Sequence, residues 1–199
     1  MDGQQLALIA VLAVALIVVG LLGRHKGEET RSARMMKKYR VMTRETFDAI
    51  PDGELTDAVV SRVLGKAAES RCPEPVQVLA ALEHGSAVVY SLWVVCREMA
   101  SGSFSALMHS RSREMAELAG ESFAAIGAPA CEAAWKTLLS AGEADVPAAE
   151  QAFRQAVQTE YPLTLCEAYI RDHAEEFIDE PADDRESDST GLPDDAGDR

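Results

Sequence analysis

Residues 6–22 read LALIAVLAVALIVVGLL, without one charged side chain, and the run stops at Gly23 directly before Arg24-His25-Lys26. With its flanks it covers about 20 residues, roughly 30 Å at helical rise, which is the thickness of a hydrocarbon core. A cleavable secretory signal would have a basic start, a shorter core and a small-residue cleavage site. Here the chain begins Met1-Asp2 and leaves the run through Gly-Leu-Leu-Gly-Arg. The pattern therefore predicts an uncleaved transmembrane anchor over 1–23. No Lys or Arg precedes the run, whereas Arg24, Lys26, Arg31, Arg34, Lys37, Lys38 and Arg40 follow it. That asymmetry predicts a single-pass cell-membrane protein, N-terminus outside and C-terminal domain cytoplasmic.

Charge is ordered along the chain. The net charge is −14, of which 24–40 carries +5 and both 41–174 and 175–199 carry −9. Residues 24–42 read as a basic juxtamembrane helix with Met35, Tyr39 and Met42 at i, i+4 and i+7. Arg34, Lys37, Lys38 and Arg40 on it are candidates for contact with anionic lipid headgroups. The acidic remainder disfavours direct nucleic-acid binding, because its surface repels phosphates. A basic protein is the fitting partner.

From Thr43 the apolar spacing is helical almost throughout. Leu55, Val59, Val60 and Val63 form one stripe, followed by a long pattern from Val76 to Cys96 with a break at Gly85. Further helices are expected over 112–126, 130–139, 147–161 and 163–178, separated by Gly127-Ala128-Pro129 and by Pro147 and Pro162. No alternating strand pattern occurs, so 43–178 is expected to be one all-α domain. Residues 179–199, rich in Asp, Glu, Pro and Ser, read as a disordered acidic tail.

Chemistry is not legible at comparable strength. No nucleophile elbow, phosphate loop or zinc-helix motif occurs, so no catalytic, cofactor-binding or metal-ligating residue is assigned and a non-catalytic protein-interaction role is expected. The alternative is a membrane-tethered hydrolase or regulator using Glu98, Ser101 and His109, with Ser103, Ser105 and Ser110 nearby. His173 with Asp172, Glu175 and Glu176 reads as a solvated face rather than a metal site. Cys72, Cys96, Cys131 and Cys166 contain no C-x-x-C pair and read as buried small hydrophobes.

Two short stretches carry a resemblance. Arg97-Glu98-Met99-Ala100-Ser101-Gly102-Ser103-Phe104 follows a long apolar helix, and Ala124-Ala125-Ile126-Gly127-Ala128-Pro129 closes another. Over about residues 55–140 the chain resembles the bacterial DNA-mimic protein family, otherwise a domain of unknown function. Its motif is a helix ending in Glu, an Asn-Gly-Gly-Phe turn, and a helix closing in Ile-Gly-Ala. Ser101 stands here for the Asn and Ser103 for the second Gly, giving Ser-Gly-Ser-Phe. The resemblance implies an acidic all-α domain, able to form a homodimer, that occupies the positive surface of a DNA-binding protein. Glu98, Ser101, Gly102 and Phe104 are then the motif turn, structural or interacting.

Overall fold

The computed structural model describes residues 31–70, 77 and 79–179, and among them it contains helices and no strand. Residues 31–39 form a leading helical segment. It is followed by α1 (Arg44–Asp48), α2 (Leu55–Glu69), α3 (His84–Ser101), α4 (Phe104–Met108), α5 (Arg113–Ala125), α6 (Pro129–Ser140), α7 (Val146–Glu160) and α8 (Pro162–Asp172). A 3-10 turn over Ala174–Glu176 ends the packed chain. Start and stop signals are local where the sequence suggests them. The Thr43 hydroxyl accepts the Thr46 N–H at the head of α1, and prolines stand in the first turn of α6, α7 and α8, where a missing N–H costs nothing.

α3 is the central element because it is apolar on more than one face. Val88, Val89, Leu92, Val95 and Met99 belong to the main core, whereas Tyr90 and Val94 face a smaller cluster with Val60, Val63, Leu79 and Met115. α5 lies along α3, and α2 covers another side. Close approach of α3 and α5 is permitted by small residues. Buried Ser91 and Ser122 bond to each other at 2.9 Å, so neither hydroxyl is stranded.

The remaining helices build an aromatic nucleus. Trp135 of α6 is fully buried, and its Nε1–H donates to the Ala116 carbonyl of α5 at 2.9 Å. Phe104 meets it edge-on at 5.9 Å, and Phe153 of α7 lies 4.8 Å away. Phe123 completes the group at 5.7 Å from Phe153. Rings at these separations and tilts gain quadrupole attraction beyond their area burial.

The two ends of the packed chain are tied together. Met42 N–H donates to Asp179 Oδ2 and Asp179 N–H to the Met42 carbonyl, both at 2.8 Å. The same carboxylate receives Arg62 Nη2 at 2.7 Å and Lys66 Nζ at 2.8 Å, both from α2. Arg62 also donates from Nη1 to Ser86 Oγ of α3. The packed unit thus reaches from the leading segment to Asp179, which the sequence alone assigned to the acidic tail; residues 180–199 lie outside the described residues.

Two expectations are corrected. No helix among the described residues is long and apolar enough to cross a membrane, which overturns the single-pass architecture and the cell-membrane placement. The run at 1–23 that motivated them lies outside the described residues. The physical reason is visible in the segment that follows. Its stripe does not continue out of a bilayer but turns inward, with Tyr39 and Met42 fully buried in the main core and Met35 packed against it. Of the residues named for lipid contact, Lys38 bonds to the Tyr39 hydroxyl at 2.7 Å and Arg40 to Glu69 at 2.6 Å, while Arg34 and Lys37 are exposed.

Candidate functional site

The motif turn is a joint between α3 and α4. Gly102 N–H closes α3 on the Glu98 carbonyl at 2.8 Å, and a Cβ at Gly102 would stand 3.1 Å from that oxygen. Its φ of −134° is within reach of other residues, so close approach and not handedness favours glycine. Ser103 caps α4 by accepting the Ala106 N–H, and Phe104 plugs into the aromatic nucleus. Ser101 bonds back to the Arg97 carbonyl, and the Glu98 side chain is half-buried.

Two residues that the sequence did not single out hold this joint. Glu150 and Arg154, one turn apart on α7, bond to each other at 2.7 Å. Glu150 accepts the Phe104 N–H at 3.1 Å at the start of α4. Arg154 donates to the Met99 and Gly102 carbonyls at the end of α3, the latter at 2.7 Å. Burial disfavours the charged form of Glu150, but bonds from Arg154 and the Phe104 N–H outweigh it and hold the carboxyl below its ordinary range. The signal was present as an acid–base pair at i, i+4 on an Ala- and Gln-rich helix. Its target, 46 residues away, was not. Replacing Glu150 by Ala is expected to cost about 1–2 kcal/mol by stranding the α4 start and freeing Arg154. Urea unfolding followed by circular dichroism measures it, and a neutral result would mean the joint holds itself.

The second motif segment is also structural. Gly127 lies at φ +73°, its N–H bonds to the Ala124 carbonyl, and Ala128 N–H bonds to the Phe123 carbonyl at 2.9 Å. This is the Schellman end of a helix, with glycine in the left-handed position and the following Ala128 buried along with Phe123. Pro129 then opens α6.

Several acids point inward in the same manner. Glu160 accepts the Ala130 and Cys131 N–H groups at 2.9 and 2.8 Å at the head of α6, and Glu176 the Gly85 N–H at 2.6 Å at the head of α3. For Glu160 burial opposes ionisation, and the two backbone bonds prevail, so its carboxyl lies below the usual range. These carboxylates complement helix N-termini, where unpaired N–H groups and the helix dipole favour negative charge. Their bonds to helix N-termini give these carboxylates a structural role within the domain. Acids that do face outward include Glu114, Glu117 and Glu121, all exposed on one face of α5.

The polar groups considered for catalysis are engaged locally. His109 Nδ1 lies 2.7 Å from the Ser105 carbonyl and Ser110 bonds to the Leu107 carbonyl. His173 stacks on Tyr169 at 4.2 Å with Nδ1 on the Tyr169 carbonyl. Among the described residues no group of three His, Cys, Asp or Glu is placed to hold a metal ion. Cys131 and Cys166 are buried free thiols and Cys96 is half-buried; burial pushes Cys96 and Cys166 up to about 12. Cys72 lies outside the described residues.

A family model described as DMP19-like protein matches residues 80–193, more than half of the 199-residue chain. The chain belongs to this family. The DMP19-like match starts just before α3 and runs past the last described residue, so α1 and α2 precede it, and the resemblance quoted over 55–140 is shifted toward the C-terminus. The Gly102–Phe104 joint, the Schellman end at Gly127 and the Trp135 nucleus all lie within the DMP19-like region. Comparison with curated proteins and with solved structures finds no match.

Proposed function

We propose that this DMP19-like domain acts by binding and not by catalysis, occupying the DNA-contacting surface of a basic DNA-binding protein in place of DNA. Family membership carries the reading, since the DMP19-like family is one of DNA mimics. The charge of −14 supports it. So does the outward face of α5. Glu114 and Glu121 are separated by seven residues, or ~10 Å along the helix axis, with Glu117 between them. One DNA strand carries about three phosphates over that length. The three carboxylates therefore match a strand in charge density to within a small factor.

The test is capture by the immobilised full chain followed by displacement. A captured DNA-binding protein is expected to be released by duplex DNA, and to bind about tenfold more weakly to the variant E114Q/E117Q/E121Q. All three side chains are exposed, and Glu117 loses only an i,i+4 pair with Arg113, so the variant should keep its unfolding midpoint. Capture indifferent to duplex DNA and to the triple substitution would sink the reading.

A further inference from the structure

α3 and α7 pack only weakly against each other, and a cleft of about 820 Å³ opens beside their seam. Its floor is apolar: Val60 and Leu64 of α2, Trp93 and Ala100 of α3, Val157 of α7 and Leu163 of α8. Cys96 lies at its base, a thiol that burial keeps protonated and therefore uncharged. Cys96, Ala100 and Val157 also line a second hollow of about 310 Å³ that runs on toward Phe153. The cleft thus has an apolar extension along the seam.

Its mouth differs from the rest of the molecule in two respects. Arg31 and Arg97 stand there against one acid, Asp57, so the rim is net positive in a chain of net charge −14. Arg97 lies over the Trp93 ring at 4.9 Å, which holds the guanidinium at the opening. Tyr161 is the one non-glycine residue with positive φ among those described, at φ 51° and ψ 59°, and it is 66% exposed at this rim. A left-handed backbone is strained for a residue with a Cβ, so this tyrosine is held there by the surrounding packing. The α7–α8 joint thus keeps a large apolar ring at the mouth, beside exposed Leu163, instead of burying it.

Ligand pockets fall in the range of about 300–1,000 Å³, mostly apolar with a few placed polar groups. We propose that this cleft binds a single-chain amphiphile with one anionic headgroup, a fatty-acid-like carboxylate, with its head between Arg31 and Arg97 and its chain along the α3–α7 seam. A cationic head is disfavoured by the same two guanidiniums. A bare anion gains nothing from the apolar floor. The site is separate from the outward face of α5, so its failure leaves the mimicry reading standing and the converse.

The experiment uses the full chain with dodecanoate below its micelle concentration, affinity by titration calorimetry and location by fluorescence. The chain has two tryptophans; Trp135 is fully buried and Trp93 lines the cleft, so a change in emission reports Trp93. Saturable one-site binding with a Trp93 response is expected, about tenfold weaker in Arg97→Gln through loss of a charge-assisted contact. Ala100→Phe, an exposed position at the seam, should abolish uptake without altering helicity. Equal binding of dodecyltrimethylammonium would overturn the proposal, as would full binding in both variants. So would a Trp93 already shielded from iodide in a full chain that takes up no dodecanoate, the result expected if residues 6–22 fill the cleft.

Discussion

Trp135→Ala should remove about 3–5 kcal/mol of unfolding free energy, the range for truncating a large buried aromatic. The indole is fully buried, touches Phe104 and Phe153, and satisfies the Ala116 carbonyl through its N–H. Deletion leaves a cavity where α4, α5, α6 and α7 converge, and those helices cannot all move in to fill it. Against a usual total of about 5–15 kcal/mol, a loss of this size brings the domain close to unfolding. The thermal midpoint should fall by on the order of 10 °C. Trp135→Phe should cost less, since it keeps an aromatic ring and gives up mainly volume and the hydrogen bond. Thermal and urea melts of both variants decide it; a loss under about 1 kcal/mol for the alanine would mean that the nucleus does not hold the domain.

Asp179→Ala should be nearly as severe, at about 3 kcal/mol, because it strands Arg62. The Arg62 side chain is 4% exposed and its charge is answered chiefly by Asp179, with Ser86 a weaker acceptor. Removing one member of a buried pair leaves an uncompensated charge, whereas replacing both with apolar groups can be nearly neutral. The double variant Arg62→Met/Asp179→Ala is therefore expected to be more stable than Asp179→Ala alone. The converse order would refute the ion-pair account.

The same carboxylate gives the domain a pH dependence of definite sign. Burial of Asp179 favours its neutral form, but hydrogen bonds from Arg62, Lys66 and the Met42 N–H prevail and bring it to about 2, against an ordinary 3.8. A depressed folded value means that the stabilisation is complete above 3.8 and disappears as pH falls through about 2. The difference between the two values corresponds to about 2 kcal/mol. Glu150 and Glu160 are lowered as well and act in the same direction. Asp179→Asn should lose less stability than the native chain between about pH 5 and pH 2. Unfolding free energies by urea at several acidic pH values measure that slope.

The charge and apolar patterns were legible where the information is local. Apolar spacing marked α2, α5, α6 and α7 to within a few residues, because a buried stripe repeats every three to four positions, whereas α3 begins eight residues after the pattern expected from Val76 and α8 ends six residues before the expected Ile178. The stop at Gly127 followed from the same short-range chemistry. The motif turn could be located through Gly102 and Phe104. Its supports could not, since Glu150 and Arg154 look like a solvated pair until α7 is folded against the end of α3. Glu160, Glu176 and Asp179 were hidden for a related reason: in a chain so rich in acids, a carboxylate that caps a distant helix has the same sequence signature as one that faces water.

The stem at 31–42 separates the two kinds of information most sharply. Met35, Tyr39 and Met42 at i, i+4 and i+7 determine by themselves an amphipathic helix, because periodicity is a property of neighbours along the chain. Which apolar medium receives that stripe is not. α2 and the core beneath it offer a protein surface, Asp179 locks Met42 in place through backbone and side chain, and the stripe is buried there. Sequence alone thus determined the helical class, the acidity and the family turn. Tertiary structure decided what each apolar face and each carboxylate touches, because those partners lie up to 137 residues apart and meet only on folding.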